Sequence, residues 1–319
     1  MHSSRLKTHT AQLVFLTLSA VLLLAACNDN GNSNAAETTE FDTEEYPASG
    51  LLISADELAD RLDDPDLRIV DLSPIGTYRE GRIPGAVHIW WQDTIEIHNE
   101  IYGMMPDRDT RTRIFAEAGI TEDSFVVAYD DRGGLDAARF VWLLHVVGFD
   151  DNVAILNGGR QAWEDNDYVL SSADPDVEAG EIPQAANYDV LIGADDVRES
   201  IDDPSTHIID GRSDEQRGET WFDRLQIGQI PGSMHFPRDE TIQQGAVPYF
   251  KSPDELMEML PDDLDPEADQ TLIAYGLHGV AASHTWFTLR LLGFEPVRMY
   301  DASWAEWGAD PDRPIEDLE

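Results

Sequence analysis

The sequence predicts two tandem α/β domains, each a parallel sheet flanked by helices, and three observations carry that prediction. The chain repeats itself: "SADELADRLDDPDLRIVD" from Ser54 to Asp71 aligns without gaps on "GADDVRESIDDPSTHIID" from Gly193 to Asp210. Within each copy, short apolar runs alternate with helical patterns, as expected of strands buried on both faces by crossover helices. At 319 residues, with 42% hydrophobic and 9% aromatic content, the chain has ample material for a core in each copy.

Each copy starts with a helix and then an apolar strand, "LRIVD" or "THIID". A matching turn and second strand follow, "RIPGAVH" from Arg82 to His88 and "QIPGSMH" from Gln229 to His235. A third strand, "FVVAYD" or "TLIAYG", leads through a loop into an amphipathic helix and a last short strand, "NVAIL" or "PVRMY". These elements place the first domain at 50–167, a linker at 168–187 and the second domain at 188–319. In parallel sheets of this kind ligands sit at the carboxyl ends of the strands, where both loops fall.

The segment ahead of the repeats reads as an address. A basic start, the apolar run "LVFLTLSAVLLL" and the small-residue ending "LAAC" make residues 1–27 a signal peptide of the lipoprotein type, with an uncleaved anchor as the alternative. Cys27 is then the lipidated N-terminus, and residues 28–49 form a polar tether holding the domains at the outer face of a membrane. Cys27 is also the one cysteine of the chain. Once it is lipidated, persulfide, thioester and thiol-redox chemistry have no residue to use.

The formal charge is -42, and Lys7 and Lys251 are the only lysines. That balance excludes nucleic acid as a partner. Spread along the chain instead of concentrated in one block, it suits a surface adapted to high salt, where counterions relieve self-repulsion. No histidine or carboxylate spacing makes a metal site, and no cofactor is implied.

The stretch "IAYGLHGVAASHTW" reads as a strand, a glycine-containing loop and a helix start. Successive backbone N–H groups in such a loop form a cradle for negative charge. Here the loop is Gly276, Leu277, His278, Gly279, Val280 and Ala281, and its first position has no side chain. His278 is the loop's one ionisable group and is read as either functional or a surface histidine. Ser283 and His284 follow, so that a Ser/His arrangement can be drawn there, against a histidine that packs at the helix start. The first-domain loop, "YDDRGG", is expected to set Asp130 and Asp131 at its mouth, where they repel anions despite Arg132.

Taken together, "GRIPGAVHI", "GQIPGSMHF", "NGGRQAWE", "IIDGRSDEQRGE" and "YDASWAEWG" make the chain resemble the two-domain rhodanese family, the thiosulfate and 3-mercaptopyruvate sulfurtransferases, over residues 50 to 317. The resemblance implies a non-catalytic first domain and a catalytic second one, whose loop begins with a cysteine where this chain has Gly276. It also implies that Arg212 faces a substrate anion, with an ion pair on an acidic surface as the other reading. Ala302 stands where the family has glycine. Asp71 and Asp210 read as caps on turns, His88 and His235 as repeat-equivalent fold residues, and Trp304 and Trp307 as packing or as pocket walls. The function expected is a non-catalytic module binding a small oxyanion, a sulfur compound or a partner protein's segment. The alternative is a sulfurtransferase passing sulfane sulfur to a thiophilic acceptor.

Overall fold

The repeat units fold as parallel sheets because their strands are short, apolar and separated by helices too long for hairpin turns. The structure is a computed structural model and describes residues 43–150, 152–182, 187–218 and 225–318. The residues read as a signal peptide, Cys27 and the stretch read as a tether up to residue 42 lie outside the described residues.

In the first copy the elements are β1 (Leu52–Ile53), α1 (Ala55–Asp60), β2 (Leu67–Asp71), α2 (Ile75–Glu80), β3 (Val87–His88), β4 (Glu96–His98), β5 (Ile101–Met104), α3 (Arg108–Glu117), β6 (Phe125–Tyr129), α4 (Leu135–Val146), β7 (Val153–Leu156) and α5 (Gly159–Asp165). The second copy has α6 (Ala194–Ser200), β8 (Thr206–Asp210), α7 (Asp214–Gly218), β9 (Met234–His235), α8 (Pro253–Met257), β10 (Thr271–Tyr275), α9 (Gly279–Leu291), β11 (Val297–Met299) and α10 (Ser303–Trp307). Helix α1 starts at a capping box in which Ser54 and Glu57 satisfy each other's backbone N–H groups, and Ser252 and Glu255 do the same for α8.

The first sheet runs β1-β7-β6-β2-β3 and the second β11-β10-β8-β9, every pairing within them parallel. Register repeats as well: Asp71 pairs with Tyr129, and Asp210 with Tyr275. The counterpart of β1 in the second copy shrinks to one bridge, Leu191 to Met299.

Three features depart from the sequence reading. The loop helices α4 and α9 are not amphipathic. Every residue of α4 is buried, and Arg290 is the one residue of α9 that is not. The two helices pack against each other, so each is enclosed by its own sheet and by the other domain. The domains consequently share part of their cores: one hydrophobic cluster joins Val70, Phe140 and Trp142 to Ile209, Leu272 and Phe287, while Ile69, Val127 and Trp163 pack in a cluster of the first domain and Ile208, Ile273 and Trp307 in one of the second. Finally, the end of the tether is docked and not solvated. Tyr46 is buried in that shared cluster, its hydroxyl donates to Lys251 O at 2.6 Å, and Ala48 N donates to Leu291 O. An aromatic ring with a satisfied hydroxyl recovers more by burial than a short polar segment loses by being ordered.

Candidate functional site

Strand β10 ends at Tyr275 and its loop is stitched to the start of α10. Gly276 N donates to Ser303 Oγ at 3.1 Å, while Gly276 O and Leu277 O accept from Trp304 N and Ala305 N, each at 3.0 Å. Ser303 is held at φ 54, in the left-handed region that a non-glycine residue enters only when its surroundings fix it. Its neighbour Ala302 sits at φ -69, so an alanine there costs nothing in the backbone.

Space, not backbone freedom, is what Gly276 supplies. Its φ lies outside the left-handed region, but a Cβ on it would sit 2.9 Å from both Ala281 Cβ and Ala282 N. The loop has closed onto the glycine. Leu277, Gly279, Val280 and Ala281 are buried, and His278 is half-buried. The cover comes from the first domain, through the antiparallel hairpin of β4 and β5. Tyr102 meets the His278 ring edge-on with centroids 5.5 Å apart, and the Gly103 Cα lies so close that a Cβ would touch His278 at 3.1 Å.

The hairpin is clasped by a buried ion pair between domains. Arg139 of α4, fully buried, donates from Nη1 to Asp301 Oδ1 at 2.7 Å, and its other nitrogens reach Gly103 O and Thr94 O at 3.1 and 3.3 Å. Asp301 Oδ2 accepts from Met105 N at 2.6 Å.

The first-domain loop shows what such a cradle does when it has an occupant. Asp130 is 1% exposed and does not stand at the mouth. Its Oδ1 accepts from Arg132 N and Gly134 N at 2.8 and 2.9 Å, and its Oδ2 from Asp136 N and Ala137 N at 2.7 and 2.9 Å. For Asp130 the expected repulsion at the mouth is therefore replaced by occupancy, since the loop's own carboxylate takes the N–H groups that an external anion would need, whereas Asp131 stays partly exposed beside it.

Arg212 does not face a free anion. It is fully buried and forks onto Asp210, with Nε to Oδ1 at 2.9 Å and Nη2 to Oδ2 at 2.6 Å, while Nη2 also donates to Gly228 O at 2.8 Å. The guanidinium stacks over Trp304 at 4.1 Å. The ion-pair reading holds, though within the core and not on the surface. Two residues apart at the end of one strand, the pair can meet without any help from the rest of the fold.

Asp71 and Asp210 accept backbone N–H groups of the turns that follow, from Ser73 at 2.8 Å and Arg212 at 3.1 Å. His88 and His235 make equivalent bonds from Nε2 to Ser73 O and Arg212 O at 2.9 and 2.8 Å. Trp304 and Trp307 are buried in the second domain's own cluster, which settles them as packing residues. Ser283 and His284 form no pair. The serine hydroxyl donates to Gly279 O and Val280 O, whereas His284 stacks on Phe250 and bonds Gly133 O of the first domain at 3.1 Å.

His278 behaves differently from a surface imidazole. Burial, then Arg139, Arg238 and Arg132, push its pKa down to about 4, so the ring is neutral at pH 7. Binding that needs a protonated His278 would strengthen only as the pH falls towards about 4. Arg238 and Tyr102 carry no sequence motif. Only the hairpin and the domain contact bring them to the loop.

Residues 54–166 and 193–310 each match the Rhodanese-like domain family. The chain is 32% identical over 288 residues to a thiosulfate sulfurtransferase of Corynebacterium glutamicum, covering 86% of this chain and 92% of that one. It is 29% identical over 282 residues to a 3-mercaptopyruvate sulfurtransferase of Escherichia coli, covering 83% of this chain and 97% of the relative. The crystal structure of the Escherichia coli 3-mercaptopyruvate sulfotransferase SseA superimposes with a TM-score of 0.69 at 26% identity, over 80% of this chain and 98% of that one. With the matched strand order, the paired loops and two family matches in series, the chain belongs to the rhodanese family as a tandem of two rhodanese-like domains.

Proposed function

We propose that this chain is a rhodanese-family module of the cell envelope that performs no persulfide turnover and instead binds a small anion or a partner protein's segment at the domain junction. The observation that carries the reading is Gly276: the loop head has no nucleophile, and the space its side chain would need is taken up by Ala281 and Ala282. Sulfane-sulfur transfer requires a soft nucleophile to carry the sulfur between donor and acceptor, and the chain's one cysteine, Cys27, falls in the lipoprotein-type leader. The test is turnover. Purified protein supplied with thiosulfate and cyanide should form no thiocyanate above the protein-free rate. Sustained turnover that copurifies with the protein would replace this reading with the sulfurtransferase named for its relatives.

Anchoring by a lipid on Cys27 and life in high salt belong to the same proposal. A net charge of -42 repels itself over distances that salt shortens, since the Debye length falls from about 10 Å at 0.1 M to about 3 Å at 1 M. The melting temperature should therefore rise between those two conditions. A flat or falling value would remove the halophilic part and leave the fold untouched.

A further inference from the structure

The packing of α4 on α9 sets the starts of the two helices face to face. Leu135 and Val280 share a small cluster with Ile95, and Trp91 packs on it. Two guanidinium groups flank this contact. Arg132, from the first-domain loop, lies over the Trp91 ring at 5.6 Å with its side chain 44% exposed. Arg238, from the short turn Arg238–Glu240 of the second domain, has a buried Nε with no hydrogen-bond partner among the described residues. His278 presents a buried Nδ1 that is likewise unpartnered. Arg139 is committed to Asp301, and Arg212 to Asp210 through Nε and Nη2, with its Nη1 buried and unpartnered among the described residues.

Among the described residues Arg132 is held by one carboxylate. Its Nη1 donates to both oxygens of Asp136, at 3.1 and 3.0 Å, and Asp136 is 2% exposed. A buried carboxylate with a single half-exposed partner is an expensive arrangement, and it stands beside the buried Asp130.

We propose that Arg132 of the first domain and Arg238 of the second, with the His278 imidazole, form a junctional subsite for a small sulfur oxyanion, and that Asp136 is the internal carboxylate holding Arg132 until the anion takes its place. This rests on the anion-binding reading above and changes its guanidinium from Arg212 to a pair contributed by both domains. Guanidinium groups and an imidazole N–H offer a tetrahedral oxyanion several directed donors, and closure of the site by two domains limits competition from water.

The arrangement makes binding depend on pH. Burial and then Asp130 push the Asp136 carboxyl up to about 7, against the pull of Arg132. The groups around Asp136 are Asp130, Asp131 and Arg132 on the loop that precedes α4, Tyr102 on β5, and Arg238 on the turn of the second domain, with Asp239 beside Arg238. An anion that draws Arg132 away binds best when Asp136 is protonated. Affinity is thus full at low pH and falls by about tenfold per unit as pH rises beyond about 7. His278, held down to about 4, does not titrate in this window.

Calorimetric titration of the full chain with thiosulfate, and separately with sulfate, from pH 5.5 to 8.5 at fixed ionic strength tests this. Arg132→Gln and Arg238→Gln should each weaken binding by about tenfold, while Asp136→Asn should hold affinity high and flatten the pH profile. Arg113→Gln, which removes an exposed pair on α3, should change nothing. Circular dichroism confirms that each variant is folded. Binding that survives both arginine substitutions overturns the subsite and leaves the anion-binding, non-catalytic reading in place. A wild-type affinity independent of pH overturns the role of Asp136. Absence of binding by either anion at every pH removes the subsite and the anion-binding reading together, whereas thiocyanate formation removes the non-catalytic reading alone.

Discussion

Asp301→Ala should lower the unfolding free energy by about 3–5 kcal/mol, the cost typical of breaking a buried ion pair from one side. Two losses combine. The fully buried Arg139 guanidinium keeps its carbonyl partners, Thr94 O and Gly103 O, but loses its counter-charge, and Met105 N loses its acceptor. The hydrophobic cluster crosses the domain boundary, so the loss should appear in one cooperative urea transition and not as early release of one domain. Asp301→Asn, which still accepts hydrogen bonds, should cost less. If Asp301→Ala loses under about 1 kcal/mol, or unfolds in two separated steps, the clasp does not hold the domains in the way described.

Gly276→Cys should destabilise the fold by about 1–3 kcal/mol, the range for overpacking a closed site. The clash arises at Cβ, where Ala281 Cβ and Ala282 N would both be 2.9 Å away. Neither atom can swing aside, because both sit in the first turn of α9, where Ala282 N donates to His278 O at 3.1 Å. Gly276→Ala carries the same Cβ and should cost about as much. Denaturant unfolding of the two variants checks this. A neutral or stabilising Gly276→Cys would mean that the loop has room for a thiol and is not closed onto the glycine.

Most of the scaffold was legible because parallel strands buried on both faces are written as uninterrupted apolar runs. "LRIVD", "FVVAY", "THIID" and "TLIAY" became β2, β6, β8 and β10, and the two copies pair these strands in the same register. The hairpin over the loop was not legible. Its strands, "EIH" and "IYGM", are short and largely exposed, and it turns at Asn99 and Glu100, both in the left-handed region without the glycine that usually marks such a turn. The burial of α4 and α9 on all sides depends on the other domain, which no local period records. Within the site, Gly276 and the loop bounds could be read from the sequence. The carboxylate of Asp130 folding into its own loop could also have been read, since a residue at the head of a ring of N–H groups is the nearest anion to them. Arg238 and Tyr102 could not, because tertiary contact alone places them.

The measurement that bears most directly on the central claim is the mass of the chain after incubation with thiosulfate. With Gly276 at the loop head, no covalent sulfur can be stored there, and the peptide carrying residues 276–281 should keep its unmodified mass before and after cyanide treatment. A gain of one sulfur atom in that peptide, removed by cyanide with release of thiocyanate, would contradict the account.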